Sequence, residues 1–199
     1  MTFTVVGRCK RTGHLGIGIA TSSPAVMSRC VNVSRDGAVA FQSVPDPRLG
    51  AMGLRLIESG WWPQKVVDEL VATDKWPGKR QIGIVNGDGH AAAYTGKDNA
   101  VWAGHIIGDN HVAMGNVLAG PEVAQAISEE FLATADLDLK NVCCEPSRPV
   151  ATQAGRRKAR PPQACWCTAG TLTRDSICAS TSPKSLSPNC VASSTGTSP

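Results

Sequence analysis

The sequence predicts an α+β fold over residues 1–139 and a separate tail over residues 140–199. Three observations support this division: strand-like segments occur in pairs around turns, apolar residues recur at helical spacing, and the composition changes near Lys140. Through Lys140 the chain carries 13 Lys and Arg against 14 Asp and Glu, whereas the rest carries 7 against 2. The basic character of the chain therefore belongs to its tail.

Four hairpins are predicted in the first part of the chain, each with turn residues between two β-branched or alternating segments. The predicted pairs are 3–8 with 14–20, 30–34 with 38–44, 81–86 with 90–95, and 102–107 with 111–116. In the second pair, Asp36-Gly37 supplies a tight turn. Consecutive hairpins favour antiparallel sheets.

Three helices are predicted between and after these hairpins. One follows Asp46-Pro47 and closes at Gly60, and the next begins with Pro63 in its first turn. A third opens at Gly120-Pro121-Glu122, where the acidic residue faces the positive end of the helix dipole. Runs of strands combined with paired helices indicate α+β layers that cover the sheet faces.

The tail from residue 140 is predicted to be disordered, or to be a shifted-frame translation product. The 59 residues after Lys140 contain 6 Leu, Ile, Val and Phe but 16 Ser and Thr and 7 Pro, which is too little apolar surface to offset chain entropy. Six of the eight cysteines lie there, yet Cys143-Cys144 and Cys165-x-Cys167 lack zinc-site spacing, and every histidine precedes residue 112. No metal site is expected.

Composition and motifs narrow the function classes. The excess of basic charge belongs to the tail and does not indicate a basic face on the folded part, so no nucleic-acid partner is expected. The start lacks a basic region followed by a long apolar run, which predicts a cytoplasmic protein, and no apolar stretch is long enough for a membrane partner. Walker, H-E-x-x-H, G-x-S-x-G and dinucleotide motifs are missing, so no cofactor is expected and a small-molecule substrate is the predicted partner. Whether the chain forms a homo-oligomer stays open.

The beginning of the chain carries the sharpest chemical hypothesis. A strand that starts with Thr2 would, once Met1 is removed, place a hydroxyl beside its own α-amine. The pKa of such an amine is near 8, so a neutral fraction at physiological pH is able to accept the hydroxyl proton. The alternative is that Thr2 is simply a small second residue. His105, which follows Trp102-Ala103-Gly104, is a second candidate, as a residue that lines a pocket. The alternative is that this histidine has a purely structural role.

A succession of motifs is similar to the bacterial and archaeal domain of unknown function 1028 family over residues 2–135. The motifs are Thr2-Phe3-Thr4-Val5-Val6, Asp46-Pro47-Arg48-Leu49-Gly50 with Gly53-Leu54, Arg80-Gln81-Ile82-Gly83-Ile84-Val85, Ala92-Ala93-Tyr94-Thr95-Gly96, Trp102-Ala103-Gly104-His105, and Gly115-Asn116-Val117-Leu118-Ala119-Gly120-Pro121-Glu122-Val123. The resemblance implies a four-layer αββα sandwich of antiparallel sheets like that of N-terminal nucleophile hydrolases. The aberrant tail would leave that sandwich incomplete.

The same resemblance implies site residues. Thr2 would attack an amide-type bond, and Gln42, Arg48, His105 and Asn116 would bind substrate. Two positions depart from the family pattern, since Asp46 and Met114 stand where amide side chains are usual, and this removes hydrogen-bond donors.

Two functions of different classes follow from these observations. The first is hydrolysis of small C–N bonds by an N-terminal threonine. The second is a non-catalytic binding or assembly module that keeps the sandwich and is linked to cell-wall metabolism. Threonine hydrolases of the proteasome kind use a lysine on a neighbouring strand to lower the pKa of the α-amine. The strands predicted after the first hairpin contain no lysine, which favours the second function.

Overall fold

The computed structural model describes residues 1–134 together with the backbone of residues 163–169 and 177–179. These residues form ten strands and four α-helices. The strands are β1 (Thr2–Arg8), β2 (Leu15–Thr21), β3 (Val31–Val33), β4 (Gly37–Ser43), β5 (Arg80–Asn86), β6 (Ala91–Thr95), β7 (Trp102–Gly108), β8 (His111–Leu118), β9 (Gln163–Ala169) and β10 (Ile177–Ala179). The helices are α1 (Val26–Cys30), α2 (Pro47–Glu58), α3 (Pro63–Thr73) and α4 (Glu122–Ala133).

The strands form two antiparallel sheets. The first sheet has the order β10-β9-β2-β1-β8-β7, and the second has the order β3-β4-β5-β6. All four predicted hairpins are present, with boundaries that differ from the prediction by a few residues at most. Because β1 lies between β2 and β8, the strand that begins with Thr2 is internal and its backbone is hydrogen-bonded on both sides.

The two sheets pack face to face through an apolar core. Val6, Ile17 and Met114 of the first sheet meet Ala40 and Val85 of the second in one buried cluster. Small residues permit this close approach: a Cβ added to Gly83 in β5 would stand 3.1 Å from the Met114 side chain. The inner space between the sheets is therefore filled along most of its length by side chains.

Helices cover the outer faces of both sheets. Val66 and Leu70 of α3 and Ile57 of α2 pack on Phe41 and Ile84 of the second sheet. Val123 and Ile127 of α4 pack on Ala113 and Leu118 of the first sheet. The three predicted helices are thus confirmed: the Asp46 side chain caps α2, Pro47 and Pro63 stand in the first turns of α2 and α3, and Pro121 directly precedes α4.

Two local predictions require correction. Residue 30 was expected to open a strand, but Cys30 ends α1, which the sequence did not reveal because five residues are too few to show a helical period. Regular structure was not expected after residue 140, yet β9 pairs with the outer edge of β2. Pairing along an edge uses backbone groups, so it needs no apolar period.

The other predictions for the tail, including its disorder and the domain boundary at residues 139 and 140, lie mainly outside the described residues. Among the described helices, all are too short or too polar to cross a lipid bilayer.

Candidate functional site

The core between the sheets becomes polar at one end, where β1 begins. Thr21, Thr2 and Asn116 are directly opposed on β2, β1 and β8. Opposed residues of an antiparallel pair lie on the same face of the sheet. Thr4 and Val6 share that face by the two-residue period of β1, and Val6 packs in the core between the sheets. The Thr2 side chain therefore lies on the inner face, at the mouth of this core.

The Thr2 hydroxyl has a buried hydroxyl as its neighbour. Thr2 Oγ1 and Thr21 Oγ1 are 2.9 Å apart, and Thr21 is 1 % exposed. The Thr21 hydroxyl also donates to the Met1 carbonyl at 3.3 Å and accepts from the Ser23 backbone N–H at 3.2 Å. Thr21, which sequence reasoning did not single out, thereby connects the Thr2 hydroxyl to the peptide bond that precedes it.

Three buried carboxamides continue the polar end toward the second sheet, and with Thr4 they form what we call the carboxamide network (Thr4, Gln42, Gln81 and Asn116). Thr4 Oγ1 donates to Gln42 Oε1 at 2.5 Å, and Gln42 Nε2 donates to Gln81 Oε1 at 2.8 Å. Asn116 Nδ2 donates to the same Gln81 oxygen at 3.1 Å. Two of the sequence-selected residues, Gln42 and Asn116, are thus brought together beside Thr2.

Gln81 is the centre of the network, and the sequence analysis gave it no role. It is fully buried, and its Nε2 lies 3.0 Å from Thr95 Oγ1 and 2.9 Å from the carbonyl oxygens of both Gly104 and Gly115. Its side chain thus bonds to strands of both sheets. A sequence signal did exist: Gln42 and Gln81 each lie at the end of an apolar run that is typical of a buried strand, residues 38–41 and 82–85. In the structure the two glutamines are directly opposed in β4 and β5.

His105 contacts the network at its edge. Its Nδ1 lies 2.8 Å from Thr95 Oγ1, and the residue is exposed at the surface. Partial burial of the ring lowers the pKa of His105, which keeps the imidazole neutral near physiological pH. In register His105 opposes Met114 and, beyond it, Thr4, so it lies two strands, or roughly 10 Å, from β1.

Arg48 lies apart from these residues, at the start of α2. Its side chain is 91 % exposed, and its guanidinium pairs with the Asp46 carboxylate at 3.2 Å. The same carboxylate accepts from the Arg48 backbone N–H at 3.0 Å, and the hydrogen bonds from Arg48 lower the pKa of Asp46. Asp46, the first departure from the family pattern, therefore caps a helix, whereas the second, Met114, is buried in the apolar core.

A buried ion pair fixes the strand end that carries Gln81. Arg80 Nε donates to Asp74 Oδ2 at 2.5 Å, and the two side chains are 6 % and 4 % exposed. The Arg80 guanidinium also donates to the Val44 carbonyl, just beyond β4. Hydrogen bonds from Arg80 lower the pKa of Asp74, so the pair stays charged at neutral pH.

The backbone around the polar end contains strained positions. Ser43, Val101 and Val117 have positive φ angles of 75°, 58° and 56°. Val117 follows Asn116 as an extra residue, because Asn116 opposes Ala103 while Leu118 opposes Trp102. A β-branched residue in this region is disfavoured, and strain of this kind concentrates at functional sites.

The chemistry available at this end is that of hydroxyls and carboxamides. In the part of the chain that the structure describes, His, Cys, Asp and Glu side chains form no group of three that could hold a metal ion. The arrangement is therefore suited to hydrogen bonding with a neutral polar molecule, next to one hydroxyl at the start of a strand.

A family model described as a family of unknown function, DUF1028, matches residues 2–145. A crystal structure of a protein from Silicibacter pomeroyi assigned to the same family model aligns with a TM-score of 0.74 and 25% identity, over 84% of this chain and 75% of that chain. No curated relative matches the sequence.

Proposed function

The chain belongs to the family of unknown function DUF1028, and from this premise we propose that it hydrolyses small amide-type bonds with Thr2 as the nucleophile. The observation that carries the proposal is the position of the Thr2 hydroxyl, on the inner face of an internal strand between Thr21 and Asn116. Two face-to-face sheets with helices on their outer faces support kinship with the αββα sandwich of N-terminal nucleophile hydrolases.

Removal of Met1 is the activating step in this proposal. It converts the Thr2 backbone nitrogen into an α-amine with a pKa near 8, which is partly neutral at physiological pH. It also removes the Met1 carbonyl, to which the Thr21 hydroxyl donates. The Thr21 hydroxyl is then free to orient the Thr2 hydroxyl, 2.9 Å away.

The reaction follows from these groups. The α-amine accepts the hydroxyl proton while Thr2 Oγ1 forms a bond to the substrate carbonyl carbon, giving a tetrahedral oxyanion. The C–N bond then breaks, and the leaving nitrogen takes the proton from the α-ammonium. Water attacks the resulting ester with the α-amine as base, which releases the carboxylic acid and restores the Thr2 hydroxyl.

The carboxamide network would bind the substrate and stabilise the oxyanion. Asn116 Nδ2 uses one hydrogen for Gln81 Oε1, so its second hydrogen is the best-placed donor for the oxyanion. Gln42, fixed by its hydrogen bonds to Thr4 and Gln81, would form the buried side of the substrate site. His105, which is neutral and exposed, would contact the part of the substrate that is most distant from Thr2. Arg48, which is exposed, would contact a substrate group that extends into solvent.

Intact mass and a substrate screen test the proposal. We expect the purified protein to lack Met1, and a panel of small amides and imides to yield at least one substrate. Thr2→Ala should abolish its hydrolysis, whereas Thr2→Ser should retain part of it. Thr73→Ala, a matched change of a surface threonine that bonds to Glu69, should leave the rate unchanged. Retention of Met1, or full activity of Thr2→Ala, would exclude Thr2 as the nucleophile.

A non-catalytic binding or assembly module is the second candidate. It is favoured by one observation: the strands within the described residues contain no lysine that could assist the Thr2 amine. In that case the carboxamide network would recognise a polar ligand without cleaving it. Binding that survives Thr2→Ala but is lost on Gln42→Leu would support this second function.

A further inference from the structure

A cleft at the opposite end of the second sheet has features that the proposed hydrolysis does not use. It has a volume of about 310 Å³ and lies between the end of α2, the start of α3, and the turns before β4 and before β6. We call it the tryptophan cleft, and the residues that matter for its chemistry are Trp61, Trp62, Asp36, Glu58 and Asp88. The volume suits a compact small molecule.

The aromatic wall of the cleft is open to a ligand. Trp62 is 62 % exposed, although burying a tryptophan ring would be favourable. Its ring is held in place by the His90 imidazole, with the ring centroids 4.3 Å apart. Trp61 beside it is already covered by a cation, since Lys65 Nζ lies 4.3 Å from the centroid of its ring. The ring left for a ligand is therefore that of Trp62, whose electron-rich face attracts positive charge.

The charges around the rings have the same preference. Asp36, Glu58 and Asp88 line the cleft, and in the described part of the chain none of the three forms an ion pair. Two cations border the cleft: the Arg8 guanidinium donates to the carbonyl of the lining residue Gly87 at 2.6 Å and to Asn110, and Lys65 lies over Trp61. The three exposed carboxylates outnumber these two cations, so the cleft favours a cationic ligand over an anionic one.

We propose that the tryptophan cleft binds a small organic cation, an alkylated ammonium whose apolar surface lies on the Trp62 ring and whose charge faces the carboxylates. Aromatic rings together with acidic side chains are the arrangement that recognises such cations, because the charge is spread over methyl groups that need little hydration. This site is separate from the Thr2 end of the molecule and does not depend on hydrolysis.

Choline and its uncharged isostere 3,3-dimethylbutan-1-ol test the proposal at constant ionic strength. Binding is followed by isothermal titration calorimetry in every variant and, in those that keep Trp62, also by the indole N–H signal of Trp62 in NMR spectra of the full chain. We expect saturable binding of choline, at least about fivefold tighter than that of the alcohol. Trp62→Ala should weaken choline binding by about fivefold or more, and combined Glu58→Gln and Asp88→Asn should weaken it similarly while leaving the alcohol unaffected.

Trp76 provides the matched control. It is 54 % exposed, but Lys75 and Lys79 lie 5.4 and 5.6 Å from its ring, so an added cation should avoid it. Trp76→Ala should therefore leave choline affinity unchanged. The variants change exposed residues, and circular dichroism verifies their folding. Equal affinities for choline and the alcohol, no saturable shift of the Trp62 signal, or an equal loss in Trp76→Ala would overturn the proposal.

Discussion

Replacing Gln81 with leucine removes the side chain that connects the two sheets at their polar end. Two donors, Gln42 Nε2 and Asn116 Nδ2, lose their shared acceptor, and three acceptors lose the Gln81 amide. Each buried donor left without a partner costs about 1–3 kcal/mol, and leucine offsets part of this through its apolar surface. We expect the free energy of unfolding to fall by about 3 kcal/mol.

Equilibrium urea denaturation measures this loss, and thermal unfolding should show a midpoint lowered by about 6–12 °C. Gln64→Leu is the matched control, because Gln64 lies on the surface of α3 and donates only to Asp68 at 2.9 Å. That variant should differ from the parent by less than about 0.5 kcal/mol. If Gln81→Leu lost less than about 1 kcal/mol, or no more than Gln64→Leu, the network would not stabilise the packing of the sheets.

Three further outcomes are expected. Burial lowers the pKa of His111 below its ordinary value of 6.5. As the pH falls below about 6.5, this histidine binds a proton in the unfolded chain more readily than in the folded chain, which destabilises the folded chain. The urea concentration at the unfolding midpoint should therefore decrease as the pH is lowered from about 7 to about 5, and it should decrease less in His111→Gln. Arg80→Met leaves Asp74 buried without its partner and should cost about 3–5 kcal/mol in urea unfolding, and a loss below about 1 kcal/mol would contradict this. Val117→Gly relieves a positive φ and should raise the thermal midpoint, with about 1 kcal/mol of stabilisation. An unchanged or lower midpoint would show that this backbone is not strained.

Local chemistry in the sequence was sufficient to predict the strands β1 to β8 and the longer helices. The Asp36-Gly37 turn and the prolines at positions 47 and 63 act on their immediate neighbours, so their effects can be read without knowledge of the tertiary structure. The short helix α1 could not be predicted in this way. Its formation depends on Val26 and Cys30 packing with Ile19, which is a tertiary contact.

The candidate site was predicted only in part. Thr2, Gln42 and Asn116 were selected from the sequence, and the structure places them at one end of the core. Gln81 and Thr21 were missed because their roles arise from register and sheet stacking, which bring together residues far apart in the chain. Arg48 was selected with its motif, yet its side chain faces solvent and pairs with Asp46, so its role in substrate binding stays a prediction.

The internal position of β1 also determines when the fold can be completed during synthesis. Thr2 opposes Asn116, so the second edge of β1 has no partner until β8 has left the ribosome, 114 residues later. Until then the nascent chain holds a two-stranded ribbon, which is marginally stable by itself. Contacts this distant in sequence form late and slowly, and during that interval the unpaired edge of β1 is open to pairing with other chains.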